Sequence, residues 1–121
     1  MGLAGDRDSE RKAIGLIFEE AIIEAIGSPS YTIICFHLKK EFGEDPYETL
    51  ENDPKAFYKG LQRVLGAGAD VVLTIINTYL EKRYHVDFPR GDFATIFKEG
   101  DESLKLKLFG AISRTVNKDL R

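Results

Sequence analysis

Apolar residues recur along this chain at the spacing of one helical face. The clearest run lies between residues 53 and 83, DPKAFYKGLQRVLGAGADVVLTIINTYLEKR, where two amphipathic segments meet at Gly66-Ala67-Gly68. Phe57, Tyr58, Leu61, Val64 and Leu65 share one side of the first segment, while Lys55, Lys59 and Arg63 repeat every fourth residue on another. Asp53 is placed to accept from an orphan helix N–H, and Pro54 suits the first helical position, where its missing N–H costs nothing. Gly66 ends the segment because glycine tolerates the left-handed conformation that closes a helix, and the pair Gly66/Gly68 lets two backbones approach across the turn. In the second segment Val72, Leu73, Ile76 and Leu80 make one face that Val71, Ile75 and Tyr79 widen, which predicts a buried central helix over 69–84.

The same reading extends in both directions. Ile14, Ile17, Phe18, Ala21, Ile22 and Ala25 predict a helix over 9–26, and Gly27 stops it. Ser28-Pro29 reads as a cap and first helical position for the next helix, in which Tyr31, Ile34, Cys35, Leu38 and Phe42 share a side until Gly43. The middle of that helix, TIICF, fits a strand equally well by period, and its flanks decide for helix. Asp45-Pro46-Tyr47-Glu48 has the form of a capping box opening a short turn that carries Tyr47 and Leu50. Residues 84–91 mix alternation with Pro and Gly and predict a connector, after which Phe93, Ile96 and Phe97 suggest a short helix over 92–98. LKLKL at 104–108 alternates like a strand, but Phe109, Ile112, Val116 and Leu120 continue at helical spacing. The expectation is an all-α, compact single domain of about five helices over 9–121, built on the 53–84 hairpin and preceded by a disordered tail at residues 1–8.

Composition narrows the class without naming a reaction. At 121 residues the chain is most simply one domain that buries roughly two-thirds of its unfolded surface. Its opening, MGLAGDRDSERK, lacks the apolar core of a secretory signal, and no stretch approaches the roughly twenty apolar residues of a membrane span, which points to the cytoplasm. One cysteine, Cys35, permits no internal disulfide, and with only His37 and His85 beside it the chain is short of soft ligands for zinc. The net charge of −3 argues against bulk nonspecific nucleic-acid binding, although residues 1–51 carry 5 Lys/Arg against 11 Asp/Glu and residues 52–121 carry 12 against 9.

The candidate chemistry is sparse, and no catalytic, cofactor or metal residue is assigned. Glu20 and Glu24 lie one helical turn apart, but a di-iron bundle needs Glu-x-x-His pairs on partner helices and none exists here. His37 sits in an apolar run, as a core residue would, and His85 at a helix end, where the dipole favours an imidazolium. The Gly66–Asp70 stretch follows a helix and lacks the spacing of a phosphate loop, so it reads as a helix–helix turn. Arg90-Gly91-Asp92 reads as a turn. An enzyme assembled from Glu24, His37 and Tyr58 is the weakest reading. The leading one is a regulatory module that binds a protein partner through Lys55, Tyr58, Lys59 and Arg63, with broad apolar faces that suit a homodimer. The alternative is nucleic-acid binding by Lys105, Lys107, Arg114 and Lys118 of the basic half.

A set of these residues also carries a likeness: Gly27 with Pro29 and Tyr31, His37-Leu38, Gly43, then Pro54, Phe57, Leu61 and Leu65-Gly66-Ala67-Gly68-Ala69, and finally Ile76 and Leu80. Over about half the chain this pattern, with P-x-x-F-x-x-x-L-x-x-x-L-G-x-G-A at its centre, resembles the small archaeal output domain named from Nitrosopumilus signalling proteins. The resemblance implies an all-helical, non-enzymatic, cytoplasmic signalling module that passes a signal on by contacting another macromolecule. It brings no catalytic residues, and residues 86–121 lie outside it.

Overall fold

Helix boundaries in the computed structural model, which describes residues 2–86, 88 and 90–119, fall largely at the glycines and prolines that punctuate the sequence. The described residues form α1 (Gly2–Ile26), α2 (Ser28–Phe42), α3 (Pro46–Asn52), α4 (Pro54–Leu65), α5 (Gly68–Tyr84), α6 (Arg90–Glu99) and α7 (Glu102–Asp119), with no strand among them. Both ambiguous runs, TIICF and LKLKL, are helical. Capping is local chemistry and follows the sequence closely. Asp53 accepts from the Ala56 N–H at 3.2 Å with Pro54 opening α4, and Asp45 accepts from the Tyr47 N–H at 2.9 Å with Pro46 opening α3. Between α1 and α2 the cap is Gly27 itself, with no side-chain bond from Ser28, because a one-residue link leaves Ser28 already inside the helix.

There are seven helices among the described residues where about five were expected. Beyond the five are α3, expected as a turn, and α6, expected as a short helix over 92–98; both are short, but each lays apolar residues on α4: Pro46 and Leu50 from α3, and Phe93, Ile96 and Phe97 from α6. That tertiary burial supplies the stability their length alone would not. Arg90-Gly91-Asp92 therefore starts a helix and is not a turn. At the other end α1 begins at Gly2, so the opening residues expected to fray continue the helix, each adding one bond to a nucleus already formed. Leu108, Phe109 and Ile112 seat α7 on α1 and α6, while Leu120 and the Val116 side chain lie outside the described part.

The middle of the fold is α1 and α4, and the hairpin helix α5 stands to one side. α4 packs against α2, α3, α5 and α6, and α1 packs against α2, α3, α5 and α7. Phe57 joins these layers. Its ring meets Phe18 of α1 edge-on at 5.8 Å, stacks on Phe42 of α2 at 5.9 Å and leans on Phe97 of α6 at 6.4 Å. The expectation that little of α5 faces water is corrected: Val72, Leu73, Ile76 and Leu80 are buried, but Val71 is 58% exposed and Ile75 and Tyr79 are only partly covered. Broad apolarity on a helix measures what it can bury, not what neighbours cover.

The Gly66-Ala67-Gly68 joint and Gly60 each carry a separable constraint. Gly66 has φ 59° and ψ −130°, a conformation strained for any residue with a Cβ, whereas a Cβ on Gly68 would make only ordinary contact. The two backbones do not need to approach there, since nothing lies within 4 Å of a Cβ built on Gly66. Gly66→Ala is expected to cost about 1–2 kcal/mol and Gly68→Ala to be neutral or mildly stabilising; equal urea melts for the two variants would contradict this. At Gly60 a Cβ would sit 2.2 Å from the Phe42 ring. Gly60→Ala is therefore expected to destabilise by about 1–3 kcal/mol through overpacking, and in a Phe42→Ala background to stabilise by up to about 1 kcal/mol through helix propensity. Thermal or urea unfolding of the four-variant cycle checks the reversal of sign.

Candidate functional site

The four residues proposed as a partner surface all lie on α4, but the fold separates them. Lys55 and Lys59 are exposed. Arg63 is exposed and pairs with Glu41 of α2, an ion pair of the surface kind that contributes little to stability. Tyr58 is buried, so it presents no contact area outward. Its hydroxyl donates to Asp70 of α5 at 2.5 Å and accepts from Gln62 at 3.3 Å. The bond to Asp70 pushes the Tyr58 hydroxyl up to about 12, with burial adding to it, and holds Asp70 below the usual carboxylate range, helped by Lys98 at 3.6 Å.

What the α4 row adjoins is an exposed apolar face that the sequence reading missed. On α2, Ile33 is 58% and Phe36 57% exposed. They are neighbours on the outer side of the helix by their spacing. The Phe36 ring meets His37 edge-on at 5.5 Å, and the Lys40 ammonium lies over it at 5.4 Å. A shallow groove of about 370 Å³, lined by His37, Lys40, Glu41, Arg63 and Val64, carries this face onto α4. His37 is thus exposed and not a core histidine. The missed signal was present: an apolar run that fills both the inward positions 31, 34, 35, 38 and the outward positions 33 and 36 makes a two-sided helix.

The remaining candidates resolve into structural ties. Glu20 of α1 accepts hydroxyl bonds from Tyr79 at 2.9 Å and Tyr84 at 2.8 Å, with the two rings edge-to-face and Arg83 over Tyr84. Burial, then the bond to Glu20, pushes Tyr79 up to about 12 and Tyr84 well above the usual tyrosine range. Tyr31 and Tyr47 share a hydroxyl bond of 2.8 Å between α2 and α3, with the half-buried Cys35 thiol 4.0 Å from Tyr47, and burial raises both hydroxyls. His85 caps α5 through its backbone, its N–H reaching the Leu80 carbonyl in a left-handed conformation of φ 58°.

Of the alternative sites, the basic set loses Lys105 and the enzymatic trio is spread over separate surfaces. Lys105 is buried and inward-facing, its ammonium donating to the Glu51 carbonyl at 3.2 Å and pairing with Glu102 at 3.1 Å, so it offers nothing to a phosphate backbone. Lys107 lies over the Phe88 ring, Arg114 is exposed, and the Lys118 side chain is outside the described part. Glu24 lines a groove between α1 and α5, His37 lines the α2–α4 groove, and Tyr58 is engaged with Asp70, so this trio is not brought together. Among the described residues no group of three or more His, Cys, Asp or Glu side chains is gathered as a metal would require, and no helix is long and apolar enough to cross a membrane.

Fold and surface together define an all-α protein with an exposed apolar face on α2. No family model, no curated relative and no solved structure matches the chain.

The tyrosine ties set a pH dependence. A tyrosine held protonated by the fold stabilises it fully below the unfolded value near pH 10 and loses that contribution as pH rises through the folded value. Stability is therefore expected to hold to about pH 10 and to fall from there toward about pH 12, where folded Tyr79 ionises. Urea melts across this range check it: Tyr79→Phe/Tyr84→Phe should weaken the alkaline fall, and an unchanged fall would contradict the assignment.

Proposed function

We propose that the chain is a non-enzymatic regulatory or signal-output module that acts through protein–protein contacts, and that the contact face is the outer side of α2 continued across the groove to the end of α4. The observation that carries this reading is the pair Ile33 and Phe36, two large apolar side chains more than half exposed on one helix face. Leaving them in water is costly, and a partner that covered both would gain on the order of 2–3 kcal/mol. The surroundings give that partner a chemistry. Lys39 and Lys40 close α2, and Lys59 and Arg63 follow the same side of α4, so an apolar anchor flanked by acidic residues suits the face.

Of the four residues read from the sequence, Arg63 lines the groove, while Lys59 and Lys55 are exposed further along the same helix. Tyr58 acts behind this face, fixing α4 to α5.

Ile33→Ser/Phe36→Ser is expected to keep its helical content and melting temperature, because neither side chain is in the core, and to lose capture of a specific partner from source-cell extract by about tenfold or more, the equivalent of 1.4 kcal/mol. Quantitative mass spectrometry of the captured proteins is the readout. A folded variant that retains every protein held by the wild type would contradict the proposal.

A further inference from the structure

A second surface, independent of the α2 face, lies along the outward side of α5. Asp70, Thr74 and Thr78 are all exposed and stand at the fourth-residue spacing that forms a ridge on a helix. This ridge has a depression on each side: a groove of about 630 Å³ against α1, which includes Ala21, Ala25, Val71 and Ile75, and one of about 480 Å³ against α6. A ridge bordered by grooves is complementary to its own copy, because the ridge of one can seat in the groove of the other. The small side chains of Ala21 and Ala25 permit close approach.

Two further features suit a buried seam. Val71, Thr74, Ile75 and Thr78 are all β-branched, which lowers helix propensity where Lys, Glu or Ala would raise it. Thr74 also donates its hydroxyl back to the Asp70 carbonyl at 3.0 Å, so its polarity is met within its own helix. Charge then decides the direction. Asp70 stands in the first turn of α5 and Lys82 in the last, about 18 Å away along the axis. Parallel copies would set like charges together, whereas antiparallel copies set each Asp70 end beside the Lys82 end of the other and oppose the helix dipoles favourably.

We infer that α5 is the seam of a symmetric homodimer, a second copy of this chain packing its α5 antiparallel along the α1–α5 groove. The seam is short, so association in the micromolar range is expected, as for small interfaces.

Sedimentation equilibrium tests it directly. The wild type should pass from monomer to dimer with a midpoint of roughly 1–100 μM, and Thr78→Arg, at an exposed position, should weaken association by about tenfold or more without altering the melt of the monomer. In a Cys35→Ser background, an oxidised mixture of Thr74→Cys and Thr78→Cys chains should cross-link more than either chain alone. A wild type that stays monomeric to about 1 mM, a dimer unaffected by Thr78→Arg, or cross-linking that is as strong in the separate chains would overturn the inference. A dimer lost in Ile33→Ser/Phe36→Ser but kept in Thr78→Arg would also overturn it, while leaving the α2 face as a contact surface.

Discussion

The Phe57 ring is the interaction on which the rest of the structure depends. It is fully buried on α4 and touches an aromatic ring from each of α1, α2 and α6. Through Phe18 the contact extends to Tyr47 of α3, and through Phe97 to Phe93 and Phe88. Edge-on and offset rings gain from their quadrupoles as well as from area buried, so this chain of contacts fixes orientation and not only proximity. Gly60, one turn on, keeps the space in which Phe42 can lie on Phe57.

With the aromatic chain occupying the centre, α5 is held at the side by a different kind of bond. Tyr79 and Tyr84 reach Glu20 of α1, and Asp70 receives Tyr58 of α4. A carboxylate taking neutral hydroxyls makes stronger bonds than a neutral pair would, at the cost of fixing the side chains involved. These ties grip the two ends of α5 from behind and leave its Thr74–Thr78 ridge facing outward. The same division between a rigid interior and an uncovered face recurs on α2, where Ile34 and Leu38 are buried while Ile33 and Phe36 stand in water. The molecule therefore offers an apolar face on α2 and, on α5, a threonine ridge beside a groove that includes Val71 and Ile75, both on a fixed frame, which is the physical basis for reading it as a contact module.

Much of the fold was legible because its signals are local. Asp53-Pro54, Asp45-Pro46, Gly43 and Gly66 mark helix ends through chemistry confined to one turn, and the apolar stripes identify which sides go inward. The weight given to each element was not legible. α3 looks like a turn and α6 like a minor helix confined to 92–98, because their length alone would not sustain them, and α4 pairs with both only in three dimensions. α5 looked central because the sequence shows apolarity without showing what covers it. The candidate site fared similarly: the α4 cations were read correctly as surface residues, whereas Tyr58 and Lys105 go inward to partners 12 and 54 residues away, a pairing no helical period encodes. Ile33 and Phe36 were hidden within a run that is apolar on all sides.

The central claim is that α1 and α4, joined at Phe57, are the core on which the other helices are mounted, with α5 carried at its edge. Native-state hydrogen exchange measures this most directly, since the most deeply supported helices open only with global unfolding. The account predicts that amides around Ile17 of α1 and around Phe57 and Leu61 of α4 exchange slowest and share the global unfolding free energy, while amides of α5 near Val71 and Thr74 exchange through smaller openings. Slowest exchange in α5, with α4 opening before it, would contradict the account.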